Sequence, residues 1–333
     1  MRAVLCKALG SPAGLVVEDL PDPTPGAGEV VVAVRACGVN FPDLLLVQGK
    51  YQVQPPLPFS PGGEFAGEVE AVGAGVTGLS RGTRVCGSVG TGAFREKLAV
   101  PAEELTVVPD GVGMTVAASF LITYGTSLYA LRDRANLRSG QSLLVLGAGG
   151  GVGLAAVEIG VAMGARVVAA ASSDEKLEVA RQAGAQELLK YPANVSDRAQ
   201  QKEFGAQLKE RAGADGFDVI YDPVGGGYAE PALRSIAWQG RYLVVGFASG
   251  QIPVIPLNLA LLKGCQIVGV IWGGAWRHDP HLKPSVHAEL ARLLGAGKIR
   301  PHVTAVLPLE RAAEALAMLA DRRAVGKVAL SVG

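Results

Sequence analysis

SLLVLGAGGGVG, residues 142–153, joins an uninterrupted apolar stretch to a cluster of glycines. Leu143 to Leu146 read as a parallel strand buried on both faces. LAAVEIGVAMGA (154–165) has helical texture, and a second apolar strand at 166–171 closes a βαβ unit. Its length fits the ~30 residues of a dinucleotide-binding unit. Glycine lets backbone approach a pyrophosphate, while the helix start offers unpaired N–H groups and a positive dipole end. In the Gly-x-Gly-x-x-Gly frame Gly153 is third, Gly150 second and Ala148 first, with Gly147 just ahead of it and Gly151 and Val152 inside it. The bland alternative is a glycine-rich turn between core elements. Because strand and helix are both in place, a nicotinamide or flavin dinucleotide is the expected ligand. No Lys-Ser/Thr follows the glycines, which disfavours a mononucleotide P-loop.

The rest of the chain bounds this reading. At 333 residues two domains are the default. Hydrophobic residues make up 49% and charged residues 18%, as suits an α/β protein with a buried sheet. Lys plus Arg number 31 against 30 Asp plus Glu, a net charge of +1 without basic runs, which argues against a nucleic-acid partner. MRAVLCKALG carries no apolar signal core and no stretch suits a bilayer span, so a cytoplasmic protein is expected. Cys6, Cys37, Cys86 and Cys265 lack CxxC spacing, so neither a disulfide framework nor a zinc knuckle is expected.

Up to about Gly111 the chain is rich in valine, glycine and proline. VVVAVRACGV, EFAGEVEAVGAGV and TRVCGSV read as short strands separated by turns. From about Met114 longer helical patterns begin. After the glycine unit, FDVIYDPVG, GRYLVVGFASG and GCQIVGVIWGG continue a strand–helix alternation sufficient for six parallel strands of a doubly wound sheet. A β-rich lobe, a dinucleotide domain and a tail able to rejoin the lobe predict a cleft that holds the ligand.

RACGVNFPDLLLVQGKYQ, PFSPGGEFAGEVEAVG, FLITYGTSLYAL, GAGGGVGLAAVEI, YDPVGG and the terminal GKVAL, taken in order, resemble the medium-chain dehydrogenase/reductase superfamily, and within it the zinc-free, zeta-crystallin-like quinone reductases. The resemblance spans nearly the whole chain. It implies a GroES-like catalytic domain at 1–122, a Rossmann NADPH-binding domain at 123–269, and a segment at 270–333 returning to the catalytic domain. Zinc-dependent relatives carry a cysteine ligand where this chain has Asn40 and a histidine where it has Gly63, between Gly62 and Glu64. Neither replacement is a good zinc ligand. The cysteine-rich structural-zinc loop is reduced to Cys86, and His278 and His281 lie in a loop with a proline, so zinc-free chemistry is expected.

NAD-preferring sites end the second strand with an acid that holds the ribose hydroxyls. Here the strand ends Ala170-Ala171-Ser172-Ser173, with Ala171 at the acid position. Lys176 lies one turn further on, suited to a 2′-phosphate, and Tyr191 matches a residue that holds the same phosphate in the family. The bland readings are a solvated helix face for Lys176 and packing for Tyr191, while Asp174 could reach a ribose. NADPH is the favoured cofactor, ahead of NADH.

Without a metal, another group must stabilise the charge that grows on the acceptor oxygen. Asn40 is one candidate donor. Tyr51 is another, since related enoyl reductases use a tyrosine near this point as proton donor. The plain alternatives are a turn cap for Asn40 and a loop aromatic for Tyr51. Thr126 resembles the family threonine beside the nicotinamide, and Gly246, Phe247 and Trp272 fall at loop positions whose backbone surrounds that ring. Trp238 and Trp276 read as packing or surface residues. The expected activity is hydride transfer from NADPH to a quinone. Reduction of an enone or enoyl thioester is the alternative, and a non-catalytic NADPH-binding protein is the minority reading. The family also implies a homodimer, with QIVGVIW as the edge that pairs.

Overall fold

Strands that are apolar without interruption need cover on both faces, and the computed structural model, which describes residues 1–195 and 197–333, supplies it in one of two compact units. The first unit takes residues 1–122, 287–295 and 301–333; the second takes 123–286 and 296–300. In the second, six parallel strands lie in the order Glu187–Lys190, Arg166–Ala171, Ser142–Leu146, Phe217–Asp222, Ile236–Val244, Gln266–Gly269. The chain starts in the middle, works out to one edge, then crosses back to fill the other side. The order reverses between Ser142–Leu146 and Phe217–Asp222, where loops leave neighbouring carboxyl ends in opposite directions and a crevice opens. All five residues of Ser142–Leu146 are buried. The helix Gly151–Ala162 is buried from Gly153 to Gly160, so it is core rather than a surface amphipath. A Cβ on Gly160 would fall 2.6 Å from Leu143 Cδ2, so the helix lies closer to the sheet than alanine allows.

The last strand is shorter than its apolar sequence suggests. It stops at Gly269, and Trp272–His278 is a helix. Trp272 is therefore a helix-start residue rather than a loop residue. Its indole is buried over Gly125, where a Cβ would sit 2.9 Å from Nε1, and its ring centroid lies 5.7 Å from that of Tyr129. This packing keeps the chain beyond 270 in the second unit through residue 286, so the tail does not return to the first unit at 270.

The first unit is organised on the eleven-residue strand Glu29–Val39. One side of it pairs with Glu64–Val72; the other pairs with Lys97–Pro101 over its first half and Lys327–Ser331 over its second. Arg84–Ser88, Leu105–Val107 and Val303–Pro308 complete a seven-stranded sheet, over a core that includes Val32, Val34, Phe65, Phe94 and Leu330. The register sets Val328 opposite Val39, which delivers Lys327 to the end of the long strand beside Asn40. No helix among the described residues is long and apolar enough to cross a membrane.

Candidate active site

Asn40, Asp43, Glu64 and Lys327 form a buried polar knot in the first unit. The Lys327 ammonium donates to Asn40 Oδ1 at 2.6 Å, Glu64 Oε1 at 2.7 Å and the Val39 carbonyl at 3.2 Å, which uses all three of its hydrogens. Asn40 Nδ2 donates to Glu64 Oε1 at 3.0 Å, and Glu64 Oε2 accepts the Ile122 N–H at 3.0 Å. Asp43 Oδ2 accepts the Asn40 backbone N–H at 2.8 Å, the hydrogen bond that starts the helix Phe41–Val47. Burial pushes the Asp43 carboxyl up to about 7, against the opposing pull of that N–H and of Lys327.

This arrangement gives Asn40 a different task from the acceptor-facing donor the sequence suggested. The residue is only 4% exposed, and both ends of its amide are turned inward. At Gly63 a Cβ would meet Ile122 Cδ1 at 2.9 Å, so the position has no room for a larger side chain without rearrangement. An ammonium at the centre of the group repels a dication. These residues do not fit a zinc ion. Among the described residues no cluster of three or more His, Cys, Asp or Glu is gathered for a metal, and His278 and His281 are exposed.

The second polar region lies at the carboxyl ends of the parallel strands. Gly147 leaves its strand with φ +61°, a turn that glycine makes without strain. Ala148 N–H bonds to the Ala170 carbonyl at 3.0 Å, and Gly150 N–H to the Gly147 carbonyl at 2.9 Å. Gly153 closes the frame: its Cβ would lie 2.1 Å from the Gly147 carbonyl oxygen. Gly150 heads the helix Gly151–Ala162 without a side-chain cap, leaving the first-turn amides of Gly151, Val152 and Gly153 for another acceptor. A Cβ on Gly150 would meet only the Gly147 carbonyl oxygen, at 3.5 Å. The space above this turn suits a pyrophosphate.

The side chains proposed to read the ribose end come to the same turn. The stem of Lys176 lies against Gly149, and the Tyr191 hydroxyl accepts the Gly147 N–H at 3.2 Å. Tyr191 is also a packing residue, its ring 4.8 Å from that of Tyr228 and 5.7 Å from that of Phe204. Ser173 caps the helix Asp174–Gln182, its hydroxyl accepting the Lys176 N–H at 3.3 Å, with Ser172 half-buried just before it. Asp174 points to solvent, 80% exposed, and pairs with Lys190 at 2.5 Å.

The opposite wall was read in the sequence only as the string YDPVGG. Asp222 Oδ1 accepts the N–H groups of Val224 at 2.8 Å and Gly225 at 2.9 Å, while Oδ2 accepts the Tyr242 hydroxyl. Burial nevertheless pushes the Asp222 carboxyl up. The turn so tied presses Val224 towards Gly147 and holds Gly225 beside the Phe247 ring, which is 38% exposed. The Gly246 N–H donates to the Asp222 carbonyl at 3.3 Å. An aspartate two and three residues before accepting amides is an Asx turn, a signal available in the sequence.

Thr126 is half-buried on the helix Leu121–Leu128. Its neighbour Ser127 donates to the Val152 carbonyl at 2.9 Å and shares a hydrogen bond with the Tyr221 hydroxyl at 2.9 Å, tying Thr126 to the glycine turn. Tyr51 is half-buried against the first unit's core.

Comparison with known proteins agrees with this architecture. A family profile described as "Alcohol dehydrogenase GroES-like domain" matches residues 26–110, and one described as "Zinc-binding dehydrogenase" matches 151–308. A quinone oxidoreductase-like protein 2 homolog from Nematostella vectensis is 40% identical, covering 99% of this chain and 88% of that protein. A mycobacterial protein solved in complex with NADPH is 32% identical, with a TM-score of 0.89 over 99% of this chain and all of that one, 100%. An NAD-dependent alcohol dehydrogenase aligns with the same TM-score, 0.89, at 31% identity over 100% of both chains. With its six-stranded parallel sheet, its GroES-like β unit and these relatives, the chain belongs to the medium-chain dehydrogenase/reductase superfamily, in the zeta-crystallin-like quinone oxidoreductase branch.

Proposed function

We propose that this protein is a metal-free, NADPH-dependent reductase whose acceptor is a quinone. The observation that carries the reading is the Lys176 stem lying on Gly149, on a strand end where Ala171 replaces the ribose-binding acid. Fold similarity does not choose between NADPH and NADH, since relatives of both kinds align equally well. The residues do. A lysine beside the turn attracts a 2′-phosphate, and alanine neither repels it nor holds the two ribose hydroxyls of NAD.

The backbone amides of Gly151, Val152 and Gly153 would bind the pyrophosphate, with Lys176 and Tyr191 at the 2′-phosphate and Thr126, Gly246 and Phe247 near the nicotinamide. NADPH supplies a hydride when bound. The chain's residues orient the ring and exclude water, which makes up much of catalysis in such enzymes. Tyr51 is the proposed proton donor to the reduced acceptor. Asn40 acts through the loop that it anchors to Lys327 and Glu64.

Comparing dissociation constants for NADPH and NADH tests the reading: NADPH binds at least about tenfold tighter, a margin of ~1.4 kcal/mol. Equal or tighter binding of NADH would remove Lys176 and Tyr191 from the site. Turnover of a simple quinone against a crotonyl thioester then ranks the acceptors. Tyr51→Phe should impair thioester reduction more than quinone reduction, because only the former needs a proton delivered to carbon.

A homodimer is part of the proposal. Gln266–Gly269 is the last strand of its sheet, and Ile267, Ile271, Leu261 and Leu262 near it are 40%, 60%, 80% and 69% exposed. An apolar edge of this kind is covered by a second copy or aggregates. Ile267→Lys should convert a dimer to a monomer in sedimentation experiments; a monomeric wild type would refute the pairing.

A further inference from the structure

We propose that Gly149 is a specificity-determining residue: it is the seat that holds Lys176 in place, and through it sets the preference for a 2′-phosphorylated dinucleotide. The proposal rests on the NADPH reading above.

The glycines of the turn are there for different reasons. Gly147 needs its positive φ, and Gly153 needs its close approach to the Gly147 carbonyl. Gly150 has nothing but that carbonyl near its Cβ direction, so no protein atom forbids a side chain there, and the space is what the proposed pyrophosphate would fill. Gly149 fits none of these cases. Its φ lies outside the left-handed region, so the backbone accepts any residue. What excludes a side chain is Lys176: a Cβ on Gly149 would lie 2.4 Å from Lys176 Cβ, 2.6 Å from Cγ and 3.0 Å from Cδ.

These obstructing atoms are the root of the lysine, not its mobile end. They are tied to the helix Asp174–Gln182, whose first turn is held by the Ser173 cap and by the Asp174–Lys190 pair. An alanine at 149 cannot be accommodated by a rotamer change at the tip. It must push the helix start, and with it the ammonium, away from the turn. The Tyr191 hydroxyl on the Gly147 N–H is a second strut between the same turn and the same end of the site. The turn that cradles the pyrophosphate and the side chains that read the ribose are therefore set at a fixed spacing, which a side chain at 149 would widen at the lysine while leaving the turn in place. Gly149 is a positioning residue, acting through Lys176.

Calorimetric titration with 2′,5′-ADP and 5′-AMP separates the two ends of the site without relying on turnover. Wild type should prefer 2′,5′-ADP. Gly149→Ala should lower that preference about tenfold, the effect of losing one charge-assisted contact of ~1.4 kcal/mol, while 5′-AMP affinity stays within about twofold. Gly150→Ala should weaken both ligands alike. Lys176→Ala should reproduce the Gly149→Ala ratio, and the double variant should show no further loss. An unchanged ratio in Gly149→Ala, or an equal loss for both ligands, overturns the seat and leaves the NADPH reading standing. A wild type without preference for 2′,5′-ADP overturns the NADPH reading itself, and the seat with it. Should Gly149→Ala fail to fold, adding Lys176→Gly removes the obstructing atoms and should restore folding; failure to restore it also refutes the seat.

Discussion

The two polar regions of this molecule are built to opposite plans. In the first unit, Lys327, Glu64 and Asn40 satisfy one another behind a surface that exposes only 3% of the lysine and 1% of the glutamate side chain. In the second, the glycine helix begins without a side-chain cap, and a neighbouring lysine leans on the turn instead of filling it. Groups that complete each other inside the protein hold structure together. Groups left incomplete at a sheet's switch point wait for a ligand. On the proposed reading, the closed knot braces the first unit and the open turn is the part that binds.

The sharpest way to break this contrast is Lys327→Met. It leaves the Glu64 carboxylate buried without its cation, which should cost about 3–5 kcal/mol in urea unfolding. A loss below about 1 kcal/mol would mean that the knot is not closed. Glu64→Gln combined with Lys327→Met should recover part of the loss, because a neutral pair no longer strands a charge.

Next in size is Gly153→Ala. With its new Cβ placed 2.1 Å from the Gly147 carbonyl oxygen, the helix must shift off the turn. Overpacking of this kind costs about 1–3 kcal/mol. Here it should also abolish dinucleotide binding, seen as the loss of thermal stabilisation by NADPH. Retained stabilisation would show that the frame tolerates displacement.

Much of this was legible beforehand, and the reasons differ by region. The parallel sheet is written in uninterrupted apolar runs such as LLVL and VVAAA, and the turn in glycines whose spacing has few other uses. Asn40 was singled out because a metal ligand was missing, but its true partner, Lys327, lies 287 residues away and is brought in only by strand register. No local pattern announces such a contact. Trp272 reads as a loop residue at the end of the apolar edge QIVGVIW, whereas it opens the helix Trp272–His278 with its indole buried over Gly125. Packing between distant segments overrode the local period in both cases.

Proton linkage sharpens the contrast further. Asp43 sits in the knot with its carboxyl raised to about 7 from the ordinary 3.8. A raised folded-state value means that the fold favours the protonated acid. The stabilisation is complete below about pH 4 and is lost as pH rises towards 7. Asp43→Asn, which still accepts the Asn40 N–H, should flatten the decline of unfolding free energy across this window by up to about 1.4 kcal/mol per pH unit. An unchanged slope would place the burden on other buried carboxyls raised in the same direction, such as Asp222 and Glu158.

The smallest expected effect falls where the two plans meet in one unit. Ser127 is a closed contact beside the open turn, its hydroxyl bonded to the Val152 carbonyl and to the Tyr221 hydroxyl in a fully buried setting. Ser127→Ala strands the tyrosine hydroxyl and should cost about 1 kcal/mol. Ser127→Ala with Tyr221→Phe removes both polar partners and should return most of that stability. If the contact is only a brace, NADPH affinity follows stability and recovers in the double variant. If it aligns Thr126 with the glycine turn, affinity stays low after stability has returned, and the line between brace and site must then be drawn one residue closer to the ligand.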